Sequence, residues 1–104
     1  MKVIIDKTKC ESYKTFYKII YKELNGKGYI DWEDYENLHY DADLLDEFLW
    51  YVHVNQDTEF VMLNFDLDRF KNQKTYDDYE WNLILDVLES FVKKYPKNKL
   101  TIVT

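Results

Sequence analysis

The 104-residue chain has the length of one small domain, and its 46% hydrophobic residues are enough to build a folded core. A net charge of −6 disfavours direct binding to nucleic acid phosphates, and no apolar run is long enough to cross a membrane. The single cysteine excludes an intramolecular disulfide and fits a reducing compartment. We therefore expect one cytoplasmic domain over residues 1–104, with no membrane or nucleic acid partner.

The charge is distributed unevenly along the chain. Residues 1–30 contain seven lysines and three acids, residues 31–89 contain 17 acids and three basic residues, and residues 90–104 add four lysines. An acidic block of this density favours a cationic partner, because its field attracts opposite charge over a distance. The alternative is a solvated face that only keeps the protein in solution, and the charge alone does not separate the two.

The chain opens with a strand and an amphipathic helix. Residues 2–6 are short, apolar and β-branched between charges, which is typical of a strand. Residues 12–24 repeat apolar side chains at helical spacing, with Glu11 or Ser12 as the candidate N-cap.

Acidic and aromatic residues concentrate in the next segment. Residues 27–40 show no period, so we expect a loop with at most a short helical turn. Residues 41–52 predict a second helix, with leucines, Phe48 and Val52 on one side and Asp41 as a plausible N-cap. The other side collects Asp43, Asp46, Glu47 and Trp50. A tryptophan that faces water among carboxylates is hard to explain by folding alone, which makes this side the candidate binding surface.

The second half predicts a buried strand, a long helix and a final strand. Residues 60–63 are apolar throughout, as in a central strand, and residues 64–74 read as a polar connection. Residues 76–95 predict a third helix with Thr75 as its N-cap, and residues 100–103 predict the last strand.

Helices that separate strands form crossover connections, and crossovers give parallel pairing. The expected fold class is therefore α/β, with a three-stranded parallel sheet packed by three or four helices.

Motifs for catalysis are weak. The two glycines do not follow a strand as in a phosphate loop, and neither histidine has zinc-ligand spacing. Two Asp-x-Asp pairs, Asp41 with Asp43 and Asp66 with Asp68, are candidate ligands for a divalent cation, but neither pair is followed by the remaining residues of a calcium loop. We expect no cofactor, no bound metal and no enzymatic activity. A metal-dependent enzyme that uses the two pairs is the alternative.

Several short motifs resemble, in the same order, those of the barstar family, the intracellular inhibitors of the secreted bacterial ribonuclease barnase. Residues 17–24 resemble the end of the family's first helix, residues 35–38 its loop motif, and residues 44–52 its inhibitory helix. Residues 61–63 and 100–103 resemble its second and third strands. The resemblance covers nearly the whole chain, and its specificity lies in the order of the motifs.

The resemblance implies a ribonuclease inhibitor or immunity protein that blocks a basic active site with an acidic helix and the loop before it. Asp46 takes the place of the central inhibitory aspartate, Tyr29 or Tyr35 that of the loop tyrosine, and Glu89 lies near the acid of the family's third helix. Together with the exposed helix side, the predicted partner-binding residues are Tyr29, Tyr35, Asn37, Asp41, Asp43, Asp46, Glu47, Trp50 and Glu89. The expected partner is a basic ribonuclease or nuclease toxin, and the free protein is expected to be a monomer.

The chain also departs from the family pattern. The segment between Leu24 and Asp46 is longer, and Leu45 stands where the family has a tryptophan beside the key aspartate. These differences predict a target other than barnase itself. A generic acidic protein-binding module is the remaining alternative.

Overall fold

The computed structural model describes residues 2–24, 42–53 and 57–104. The elements are, in chain order, strand β1 (Lys2–Asp6), a 3-10 turn (Lys7–Lys9), helix α1 (Tyr13–Leu24), helix α2 (Ala42–His53), strand β2 (Glu59–Leu63), helix α3 (Leu67–Asn72), helix α4 (Tyr76–Lys94) and strand β3 (Lys99–Val103). The predicted strands and long helices are present, each within one or two residues of its expected ends.

The strands form one parallel sheet in the order β1-β2-β3. Its register places Met62 of β2 between Ile5 of β1 and Ile102 of β3. Phe60 and Met62 face the helices and are fully buried, while Val61 faces the other way, between Ile4 and Thr101 of the neighbouring strands, and is 9% exposed. The predicted α/β class with a three-stranded parallel sheet is confirmed.

The strand order explains why the sheet has a covered face and an open face. Parallel crossovers are right-handed as a rule, and here both step in the same direction, so both carry their helices over the same face. Val3, Ile5 and Met62 enter the core from that face. The side chains of Ile4 and Val103 point the opposite way and are exposed. The open face is therefore a consequence of topology.

The apolar sides predicted for the helices enter this core. Two tyrosines of α1, Tyr17 and Tyr21, are also fully buried in the core, and their rings stack with centroids 5.7 Å apart. The ring of Tyr21 in turn contacts Phe48 of α2 at 5.2 Å. Aromatic rings thus connect α1 to α2 within the described part of the chain.

Helix α3 corrects the prediction for residues 64–74, which were expected to form only a polar connection. The Asp66 carboxylate caps the helix by accepting the Arg69 backbone N–H at 3.1 Å. Phe70 is buried, and its ring stacks on that of Trp81 at 6.0 Å. A helix of six residues is too short to show an apolar period, so the capping aspartate was its main sequence signal.

The start of α4 confirms the predicted cap and adds an ion pair. The Thr75 hydroxyl oxygen accepts the Asp78 backbone N–H at 3.0 Å. In a capping box, the carboxylate of Asp78 would accept a hydrogen bond from the backbone N–H of Thr75. The buried Asp78 carboxylate forms no such bond. It instead accepts from Arg69 Nε at 3.2 Å and thereby ties α4 to α3.

Two side-chain oxygens, one from a hydroxyl and one from a carboxylate, accept backbone N–H groups in the first turn of helix α1. Of the two candidate caps, Ser12 fills the role, because its Oγ accepts the Lys14 backbone N–H at 3.2 Å. The Tyr13 N–H donates to Asp77 Oδ1 of α4 at 2.8 Å, and Asp77 Oδ2 accepts from Trp81 Nε1 at 3.0 Å. One aspartate of α4 therefore positions the first turn of α1 and the central tryptophan of the core.

Candidate partner-binding site

Helix α2 presents its acidic side to solvent. Leu45, Phe48 and Leu49 are fully buried, and the helix packs against α4. Because side chains advance by about 100° per residue, the opposite side is left facing outward. That side carries the exposed residues Asp43, Asp46, Glu47 and Trp50. Trp50 keeps 49% of its surface exposed, so the predicted orientation of the helix is confirmed.

A groove of about 450 Å³ runs between α2 and α4. It is lined by Asp46, Glu47 and Trp50 from α2 and by Ser90, Phe91, Lys94 and Tyr95 from the end of α4. Three of the predicted partner-binding residues therefore meet at one concave surface.

The α4 side of the groove was not predicted from the sequence. Phe91 is buried and its ring lies 5.3 Å from that of Tyr95, while Lys94 Nζ lies 5.7 Å from the centroid of the Tyr95 ring. The spacing of Phe91 and Tyr95 shows that they share a side of α4. Nothing in the sequence indicates that this side faces α2, because that depends on how the two helices pack.

The chemistry of the groove suits a cationic side chain. Two exposed carboxylates, those of Asp46 and Glu47, lie beside the half-exposed indole of Trp50. Carboxylates form charge-assisted hydrogen bonds with guanidinium and ammonium groups, and aromatic faces attract the same cations. Lys94 contributes one positive charge to the groove and stands in the last turn of α4, where it also complements the helix dipole.

The remaining predicted residues lie outside this groove or outside the described chain. Asp43 is exposed about one turn before Asp46, and Glu89 is exposed on α4 next to Ser90; neither lines the groove. The other predicted residues, Tyr29, Tyr35, Asn37 and Asp41, fall outside the described residues.

A second depression, of about 630 Å³, lies at the carboxyl ends of β2 and β3 and is lined by residues 64–68 and Thr104. Open α/β sheets bind ligands where the strand order reverses, and the order β1-β2-β3 has no such point. Polar groups here already serve the fold. Asn64 Nδ2 donates to Asp6 Oδ1 at 2.9 Å, and hydrogen bonds from Thr8 and then Asn64 lower the pKa of Asp6.

Neither a cluster of metal ligands nor a membrane-spanning helix occurs among the described residues. Among residues 2–24, 42–53 and 57–104, no three His, Cys, Asp or Glu side chains come together as metal ligands would. Within the same ranges, no helix is long and apolar enough to cross a membrane. Cys10 is buried, and its burial raises the pKa of the thiol, as expected for a packed side chain.

Comparisons of the chain with models of known protein families, with curated proteins and with solved structures give no match.

Proposed function

We propose that this protein is an intracellular inhibitor of a basic nuclease and binds it through α2, in the manner of the barstar family that its motifs resemble. The observation that carries the proposal is the groove, in which exposed Asp46 and Glu47 flank the half-exposed Trp50. A few aromatic and charged anchors supply most of the binding energy of a protein interface. Helix α2 offers both kinds of anchor within five residues.

The proposed inhibition needs no chemistry from this chain. A nuclease active site holds RNA phosphates with arginine and lysine side chains, and a carboxylate offers the same groups an equivalent acceptor. By resemblance, Asp46 occupies the position of the phosphate. From their place in the groove, Glu47 adds a second carboxylate and Trp50 packs against the rim of the active site. Substrate is then excluded because its binding site is filled.

The charge of the chain supports fast association with such a target. The net charge is −6, and 17 of the 20 acids lie in residues 31–89, which include α2. Opposite charges on the two surfaces raise the association rate by about 10- to 1,000-fold at low ionic strength. We therefore expect the association rate to fall steeply as salt is added.

The test is inhibition of RNA cleavage by purified barnase-like ribonucleases, with dissociation constants from isothermal titration calorimetry. Asp46→Ala is expected to weaken binding by about 2–5 kcal/mol, a general range for truncating one member of a desolvated charge pair, to which the barnase–barstar complex itself contributes. This corresponds to roughly 30- to 5,000-fold. Asp68→Ala is the matched control, because it removes the same charge from an exposed position on α3.

Two outcomes contradict the proposal. One is unchanged RNA cleavage by every ribonuclease tested at micromolar protein and low salt. The other is an equal effect of Asp46→Ala and Asp68→Ala, which would show that only net charge matters and that the groove is not the contact surface.

A further inference from the structure

Exposed tyrosines cluster at the end of α4 opposite the groove. Tyr76 and Tyr79 expose 67% and 42% of their surfaces, and their ring centroids are 6.2 Å apart. Tyr13 of α1 adds a third ring, 6.0 Å from that of Tyr76 at an interplanar angle of 75°. Exposed aromatic rings in contact with one another form a surface that is costly to leave in water and suited to binding.

A carboxylate lies beneath this cluster. Glu80 exposes only 6% of its surface, and its Oε2 is buried with no hydrogen-bond partner in the described part of the chain. Hydrogen bonding to Glu80, together with the charge of Glu80, raises the pKa of Tyr76 to about 12. A buried acceptor that lacks a donor costs about 1–3 kcal/mol of free energy. A ligand that donates a hydrogen bond to Glu80 Oε2 would recover part of this cost.

Two carboxylates, those of Glu80 and Asp77, lie close enough to act on the cluster electrostatically. Burial raises the pKa of Tyr13, and the charges of Glu80 and Asp77 raise it further. Asp77 accepts from two neutral donors, the Tyr13 N–H and Trp81 Nε1, so these bonds leave its charge in place. Aromatic faces beside two carboxylates, neither of which forms an ion pair within the described part of the chain, define a site for a cation with several donors.

We propose that the tyrosine cluster, defined as Tyr13, Tyr76, Tyr79 and Glu80, binds an arginine side chain presented by a partner protein. A guanidinium group is planar, so it stacks on a tyrosine ring while its N–H groups reach a carboxylate; an ammonium group does not stack in this way. The guanidinium reaches Glu80 Oε2 when the Tyr76 ring turns aside, a motion open to a side chain that is 67% exposed.

The tyrosine cluster is independent of the groove. Ser90 lies ten positions after Glu80 in α4, which places the two sites about 15 Å apart along the helix axis. The proposal therefore holds or fails separately from the proposed inhibition of a nuclease.

The test is an NMR titration of the whole protein with N-acetyl-arginine amide, compared with the citrulline amide, which has nearly the same shape but no charge. We expect saturable shifts at Tyr76 and Tyr79 with a dissociation constant on the order of 1 mM, as for other ligands of this size. The citrulline compound is expected to bind at least about fivefold more weakly, because it lacks the charge that the carboxylate attracts.

Variants locate the site. Glu80→Gln keeps the shape of the side chain and Tyr79→Ala changes an exposed residue, so both are expected to fold and to weaken arginine binding at least about fivefold. Asp86→Asn, at an exposed carboxylate on the same helix, is expected to bind as the unchanged protein does. Asp46→Ala tests the groove separately and is expected to leave the shifts at Tyr76 and Tyr79 intact. Equal binding of citrulline, or full binding by both cluster variants, overturns the proposal.

Discussion

The two ends of α4 use acidic residues in different ways. At the N-terminal end, Asp77 accepts from Tyr13 and Trp81, and buried Asp78 accepts from Arg69. At the C-terminal end, the acids that face the helix belong to α2, and Asp46 and Glu47 are exposed along the groove. The difference teaches that the acids at one end of α4 accept hydrogen bonds within the fold, whereas those at the other end lie on an exposed surface.

Physical chemistry separates the two groups. A carboxylate that satisfies buried donors cannot be removed without leaving those donors unpaired, which costs free energy of folding. An exposed carboxylate is solvated in both the folded and unfolded states, so its removal changes the free energy of unfolding little. Stability measurements can therefore distinguish the acids that accept hydrogen bonds within the fold from the exposed acids, a distinction that composition alone does not give.

The largest expected effect on stability comes from Asp77→Ala. This change leaves the Tyr13 N–H and the indole N–H of the fully buried Trp81 without their acceptor, and we expect a loss of about 2–4 kcal/mol in the free energy of unfolding. The measurement is urea unfolding followed by tryptophan fluorescence. Asp43→Ala is the control, with an expected loss below about 1 kcal/mol, because Asp43 is exposed in the first turn of α2. Similar losses for the two variants would contradict the distinction between acids that accept hydrogen bonds within the fold and acids that are exposed.

A smaller effect is expected from Lys94 on the affinity of the proposed inhibitor for its nuclease. Lys94 lines the groove, and its ammonium lies 5.7 Å from the Tyr95 ring, where it repels an incoming cation. Lys94→Met keeps the apolar stem and removes the charge, so we expect binding to tighten by about 0.5–1 kcal/mol, roughly two- to fivefold. Lys97→Met, at an exposed position outside the groove lining, is the control. Weaker binding by Lys94→Met would show that the partner uses this lysine.

The smallest expected effect is the alkaline titration of Tyr76. Its pKa is raised to about 12 by hydrogen bonding to Glu80 and by the charge of Glu80, so the folded state favours the protonated phenol. This contribution to stability is complete below about pH 10, where the unfolded phenol titrates, and is lost as the pH rises through 12. NMR of the tyrosine ring carbons measures the pKa, and Glu80→Gln should bring it back toward 10. A Tyr76 pKa near 10 in the unchanged protein would show that Glu80 does not stabilise the protonated phenol.

Part of the candidate site was predictable because it depends on one helix. The side of α2 that carries Asp46, Glu47 and Trp50 follows from helical spacing, and the structure confirms its exposure. The contribution of α4 was not predictable, since Phe91 and Tyr95 meet α2 only after both helices pack on the sheet. The same reason applies to Asp77, whose hydrogen bond to Tyr13 joins residues 64 positions apart.

By itself, the sequence determined the type of fold. Apolar periods defined the long helices and strands, and helical crossovers between strands required parallel pairing. Only the tertiary structure decided the strand order, which sends both crossovers over one face, leaves Ile4 and Val103 exposed, and brings α2 against α4. Local patterns specify what each element buries, whereas the groove between α2 and α4 and the tyrosine cluster arise from contacts between residues far apart in the chain.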